Sequence, residues 1–170
     1  MPTPNNASAI PTTRLSFSAT ASVNARGQFE ILAITAGRSI VRDEAGAMMP
    51  DKGWIFPASV LQMSVPLWNG VSCFVDHTEE MGASRQLRHL GGVLSSPSWD
   101  AASQGVRAVL STRGAMGNLV DELGRQVLLD ITPTDAPTVG FSGDILFTSE
   151  GDEVKKILKV FFLDLVFDPA

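Results

Sequence analysis

Two short segments carry the residue types that acyl chemistry needs, Cys73-Phe74-Val75-Asp76-His77 and Val139-Gly140-Phe141-Ser142-Gly143-Asp144. A serine hydroxyl attacks a carbonyl effectively only when a neighbouring imidazole takes its proton. The chain has two histidines, His77 and His89. His77 ends an apolar run and is the candidate general base, and Ser142 is the candidate nucleophile. Gly140 and Gly143 would let a substrate backbone come close and would offer main-chain amides to an oxyanion. Each segment also has an ordinary reading: a serine in a strand, and a histidine bonded to backbone at a strand end.

Asp164 is a third candidate. Between Ile157 and Phe167 the charged residues are Lys159 and Asp164, and Phe161, Leu163, Leu165 and Phe167 make one apolar face. Asp164 then points to the other face, where a carboxylate needs a partner to offset its desolvation, and a histidine would suit. The bland reading is a strand whose second face is wet. Asp168 shares the face of Asp164 nearer the end of the sequence. His89, in a polar segment, reads as a surface side chain that could assist. Arg85 and Arg88 could hold a substrate carboxylate or an oxyanion-stabilising water, or simply be solvated. Cys73 lies on the same side of its strand as Val75 and His77, and its apolar neighbours favour a raised pKa and low reactivity.

The elements that must position these residues belong to one domain. A chain of 170 residues with 44% hydrophobic and 18% charged residues can bury a single core without disulfides. The net charge of -5 argues against a nucleic-acid or anionic-membrane surface. A single cysteine excludes an internal disulfide, and the scarcity of histidine and cysteine argues against zinc; no metal and no cofactor are expected. No segment has the length of a membrane span, and the N-terminus lacks a signal pattern, so a reducing cytoplasm is expected.

Residues 1–25, rich in Ser, Thr, Ala, Asn and Pro, read as a flexible or peripheral segment, and 26–170 as the folded domain. Strands are expected at Glu30 to Ala36, Val71 to Val75, Gly91 to Leu94, Gly105 to Thr112, Thr138 to Thr148 and Val154 to Phe167, with a turn at 95–100 between the third and fourth. A short helix should begin near Pro57 and end at Pro66. Met116, Leu119, Val120, Leu123, Val127 and Leu128 recur at three- and four-residue steps and predict an amphipathic helix from Ala115 to Leu129. The fold class is α+β: a mostly antiparallel β-barrel flanked by helices.

The order of several motifs supports a resemblance. Trp68-Asn69-Gly70 leads to Phe74-Val75-Asp76-His77, followed by Gly91-Gly92-Val93-Leu94, then Pro137-Thr138-Val139-Gly140-Phe141-Ser142-Gly143-Asp144-Ile145, and last Leu163-Asp164-Leu165-Val166-Phe167-Asp168-Pro169-Ala170. Over roughly residues 55 to 170 the chain resembles the head maturation (prohead) proteases of tailed bacteriophages, a family related in fold to the assembly proteases of herpesviruses. The resemblance implies a serine endopeptidase with Ser142 as nucleophile and His77 as base on a small barrel. The herpesvirus enzymes use a second histidine after the serine, which this chain lacks; Asp164 is the nearest acidic match for the third position.

The substrates so implied are the scaffolding protein and the N-terminal part of the major capsid protein, with self-cleavage. The setting implied is the host bacterial cytoplasm inside the immature capsid, and the oligomeric state a homodimer or higher oligomer. A sequence ending directly after Asp-Pro-Ala is what self-processing, or a boundary at the catalytic domain, would leave. Two rival readings remain: a non-catalytic capsid-assembly or scaffold module with a protease-like fold, and an α/β-type hydrolase. The latter places its nucleophile in a sharp strand-to-helix turn, whereas Ser142 runs on into strand-like Ile145-Leu146-Phe147.

Overall fold

A computed structural model of the chain describes residues 4–5, 12–14, 27–39, 49, 52–75, 85–128 and 139–167. The chain is α+β and mostly strand. Two short strands, β1 (Pro4–Asn5) and β2 (Thr12–Arg14), precede β3 (Gln28–Thr35), β4 (Gly37–Arg38) and β5 (Ile55–Phe56). Helix α1 (Ala58–Ser64) leads to β6 (Ser72–Val75), then β7 (Leu90–Asp100), β8 (Gly105–Thr112), helix α2 (Gly117–Leu128), β9 (Val139–Glu150) and β10 (Glu153–Phe167).

The main sheet runs β1-β9-β10-β6-β7-β8-β3, and β2 also pairs with β9. Strand β10 is its axis. It is antiparallel to β9 along its whole length and parallel to β6 and β5 on its other side, so the sheet is mixed at its centre and antiparallel elsewhere.

Three register shifts interrupt β9 and β10, between Val154 and Lys156, Ile157 and Lys159, and Val160 and Phe162. Each extra residue resets the alternation, so burial falls on Val154, Ile157, Val160 and Leu163, at steps of three rather than two. Bulges also bend a strand and increase its twist, and the sheet curls into a half-barrel around its core. The expected barrel is reached only to that degree. Among the described residues no ladder joins edge strand β3 to β2 or β9, so the sheet curls without closing.

The core inside the curl holds Phe29, Ile31, Ile34, Phe56, Leu61, Trp68, Cys73, Leu94, Leu110, Phe141, Phe147 and Leu163 among others. Helix α1 starts as proline dictates: Pro57 stands just before it, and its carbonyl accepts the amides of Val60 and Leu61. The α-helical turns stop at Ser64, and Pro66 lies in a 3-10 turn, Val65–Trp68, that swings the Trp68 ring into the core. The indole Nε1 donates to Ser64 Oγ at 3.2 Å, so this buried polar atom is satisfied.

Helix α2 lies against β7 and β8. It comes close because Gly91 and Gly124 have no side chain: a Cβ on Gly91 would stand 2.7 Å from Val120, and one on Gly124 2.8 Å from the Phe29 ring.

The turn expected at 95–100 is elsewhere. Strand β7 continues to Asp100, and Ser-Ser-Pro-Ser forms a bulge with Ser96 at φ 50°. A bulge tolerates proline because the ladder is already interrupted there. The chain reverses at 101–104, where the Asp100 carboxylate accepts the amides of Ala102 and Ser103. The remaining main strands and α2 fall where periodicity put them, within a few residues. Of the segment expected to be peripheral, residues 4–5 and 12–14 pair with β9. No described helix is long and apolar enough to cross a membrane.

Candidate functional site

Beyond the last bulge, β9 and β10 run in unbroken register from Phe162 opposite Asp144 to Phe167 opposite Val139. Side chains of facing residues share one side of the sheet. Gly143 opposes Leu163 and Phe141 opposes Leu165, so these positions face the core, with the Trp68 ring under Gly143. The intervening pair, Ser142 and Asp164, therefore projects from the opposite, outer face. Directly opposed side chains in an antiparallel pair have Cβ atoms about 4.5–5.5 Å apart. The strand alternation expected for Asp164 holds, and the register sets it beside Ser142.

Although it is on the outer face, this pair is not wet. Ser142 is 2% exposed and Asp164 0%. Ser142 Oγ is buried with no hydrogen-bond partner among the described residues. Asp164 Oδ2 accepts a hydrogen bond from Arg85 Nη2 at 2.5 Å, and the two side chains are 0% and 5% exposed. A carboxylate taken out of water needs such a charge. The arginine has its own support: Cζ stands 5.4 Å from the centroid of the Phe162 ring, which meets Phe74 edge-on at 5.4 Å. Phe74 is the residue of β6 registered with Asp164. Ser142, Asp164, Arg85, Phe74 and Phe162 thus form one cluster drawn from β9, β10, β6 and the approach to β7.

The other sequence candidates fall as follows. His77 and Asp168 lie outside the described residues; β6 ends at Val75, two positions before His77. Gly140 and Gly143 flank Ser142 within β9, opposite Val166 and Leu163. Arg14 of β2 also pairs with Gly140, and Thr12 with Ser142. His89 is half-buried and Arg88 exposed, both in a 3-10 turn, Leu87–His89, that leads into β7. Arg85, read from sequence as a contact for an oxyanion or a substrate carboxylate, is engaged with Asp164. Cys73 is fully buried on the core face beside Leu163, and desolvation, then the nearby Asp164 charge, push its thiol far above the usual range. Such a thiol is a poor nucleophile.

Sequence reasoning did not find the Arg85–Asp164 pair or the aromatic pair beside it. The signal was partial: a carboxylate in an apolar strand calls for a cation. Nothing in the sequence chose Arg85, 79 residues away, over Arg88.

No group of three or more histidine, cysteine or acidic side chains suited to a metal ion occurs among the described residues. What the cluster offers is a buried hydroxyl beside a charge-compensated carboxylate, on a face reached by β6 and β2. Comparison of the chain with known protein families, characterised proteins and solved structures found no match.

Proposed function

We propose that the protein is a serine endopeptidase of the phage prohead protease type, acting on the scaffolding protein, the N-terminal part of the major capsid protein and its own chain inside the immature capsid. One observation carries this reading: Ser142 and Asp164, chosen separately from sequence, are cross-strand partners on one buried face. The curled, mostly antiparallel sheet with two helices is compatible with a β-rich fold, and it is a half-barrel rather than the closed barrel that the resemblance implies.

In this mechanism Ser142 Oγ attacks the scissile carbonyl carbon while His77 takes the hydroxyl proton. Collapse of the tetrahedral adduct breaks the C–N bond, and His77 returns that proton to the departing amine. Water then attacks the acyl-serine by the same proton route and regenerates Ser142. Asp164 orients the imidazole and balances its charge, and main-chain amides near Gly140 and Gly143 hold the oxyanion.

The burial of Ser142 favours the second reading, a non-catalytic capsid-assembly module, because a peptide could reach the hydroxyl only after its cover moved aside. One experiment decides between them. Wild-type chain and Ser142→Ala are incubated with scaffolding protein or full-length precursor, and the products are resolved by mass. The peptidase reading expects cleavage by wild type alone; equal behaviour of the two chains rejects it.

A further inference from the structure

We infer that Arg85 is a positioning residue of the proposed hydrolytic site, fixing the Asp164 carboxylate beside Ser142. This rests on the serine-peptidase reading above and adds a residue to it.

The ion pair between Arg85 Nη2 and Asp164 Oδ2 is 2.5 Å long, with both side chains at least nine-tenths buried. Holding Oδ2 sets the rotation of the carboxylate, and with it the direction in which Oδ1 points. A carboxylate that orients an imidazole needs its direction fixed, because small misplacements near a reacting centre carry large rate penalties. Arginine suits the task because its guanidinium is planar and presents its donors as a rigid fork that matches a carboxylate.

The guanidinium is itself held in place. It stands over Phe162, which is braced by Phe74, and both rings project from the same outer face as Asp164. The backbone just beyond Arg85 is tied down too, since the His89 amide donates to the Gln86 carbonyl where the chain turns into β7. Strand β7 is paired with β6, and β6 with β10, so Arg85 and Asp164 are referenced to one sheet. An arginine that merely neutralised a charge would need no such platform.

The test uses the full chain and a fluorophosphonate probe, which reacts with an activated serine. Wild type is expected to be labelled and Ser142→Ala not. Arg85→Gln is expected to be labelled about 100-fold more slowly at an unchanged half-saturating probe concentration. Arg85→Lys, which keeps the charge but loses the planar fork, should fall between the two. If Arg85 acts through Asp164, the double variant Arg85→Gln/Asp164→Asn reacts no more slowly than Asp164→Asn alone.

Wild-type labelling rates in Arg85→Gln or Arg85→Lys, or effects that multiply in the double variant, overturn the inference and leave the peptidase reading intact. Absence of Ser142-dependent labelling in wild type overturns both. Circular dichroism checks each fold, and if Arg85→Gln does not fold, Arg85→Lys carries the test by the same criterion.

Discussion

Ser142 and Asp164 sit where folding alone would favour apolar side chains. A buried hydroxyl with no hydrogen-bond partner among the described residues costs stability, so Ser142→Ala should be at least as stable as wild type, by up to about 1 kcal/mol, while losing any peptidase activity. Urea unfolding of the two chains checks this. Asp164 behaves in the opposite way. Asp164→Ala leaves the Arg85 charge buried without its carboxylate, and a loss of about 3–5 kcal/mol is expected in the same measurement. A buried pair of this kind is poor evidence of selection for stability, because well-packed apolar residues often do as well.

A carboxylate at the surface gives a pH test. Hydrogen bonds from Ser103, then from Arg107, hold the Asp100 carboxyl down at about 2, from its ordinary 3.8. With the folded-state value depressed, the stabilisation is fully present above the unfolded-state value near 4 and is lost as pH falls towards 2. Asp100→Asn should therefore flatten the fall in stability between about pH 4 and pH 2, as read from thermal unfolding across that range.

Among the elements, α2 shows how packing overrides propensity. An alanine in mid-helix is worth about 1 kcal/mol over glycine. At Gly124, however, a Cβ would stand 2.8 Å from Phe29, itself 1% exposed. Gly124→Ala is expected to destabilise the protein by about 1–3 kcal/mol, the usual cost of overpacking; a thermal shift upward would show that α2 can move away. The outer edge of β9 gives a second element-level test. β1 and β2 cover it, with Thr12 registered on Ser142. Deleting residues 1–26 should bare an edge strand and raise self-association, measured by sedimentation at several concentrations, since unpaired strand edges template pairing with other chains.

At the scale of the whole molecule, one core cluster draws on every long strand, both helices and the 3-10 turn that bears Trp68. Unfolding should accordingly be a single transition, with tryptophan fluorescence and far-ultraviolet circular dichroism giving the same midpoint; separate midpoints would divide the chain into more than one unit.

The sequence by itself determined the main strands, both helices and the inner and outer faces around Asp164. The alternation around Leu163, Asp164 and Leu165, the helical spacing from Met116 to Leu128, and Pro57 at the start of α1 are local patterns, and local sterics act on them directly. It misplaced the turn after β7, because Ser-Ser-Pro-Ser serves a bulge as well as it serves a reversal. Only the tertiary structure decided which residues meet. Register between β9 and β10 put Ser142 opposite Asp164, the bulges of β10 curled the sheet without closing it, and the approach to β7 delivered Arg85 to a carboxylate 79 residues away. Such pairings arise from many weak packing choices made together, and a one-residue change of register would turn Asp164 to the other face.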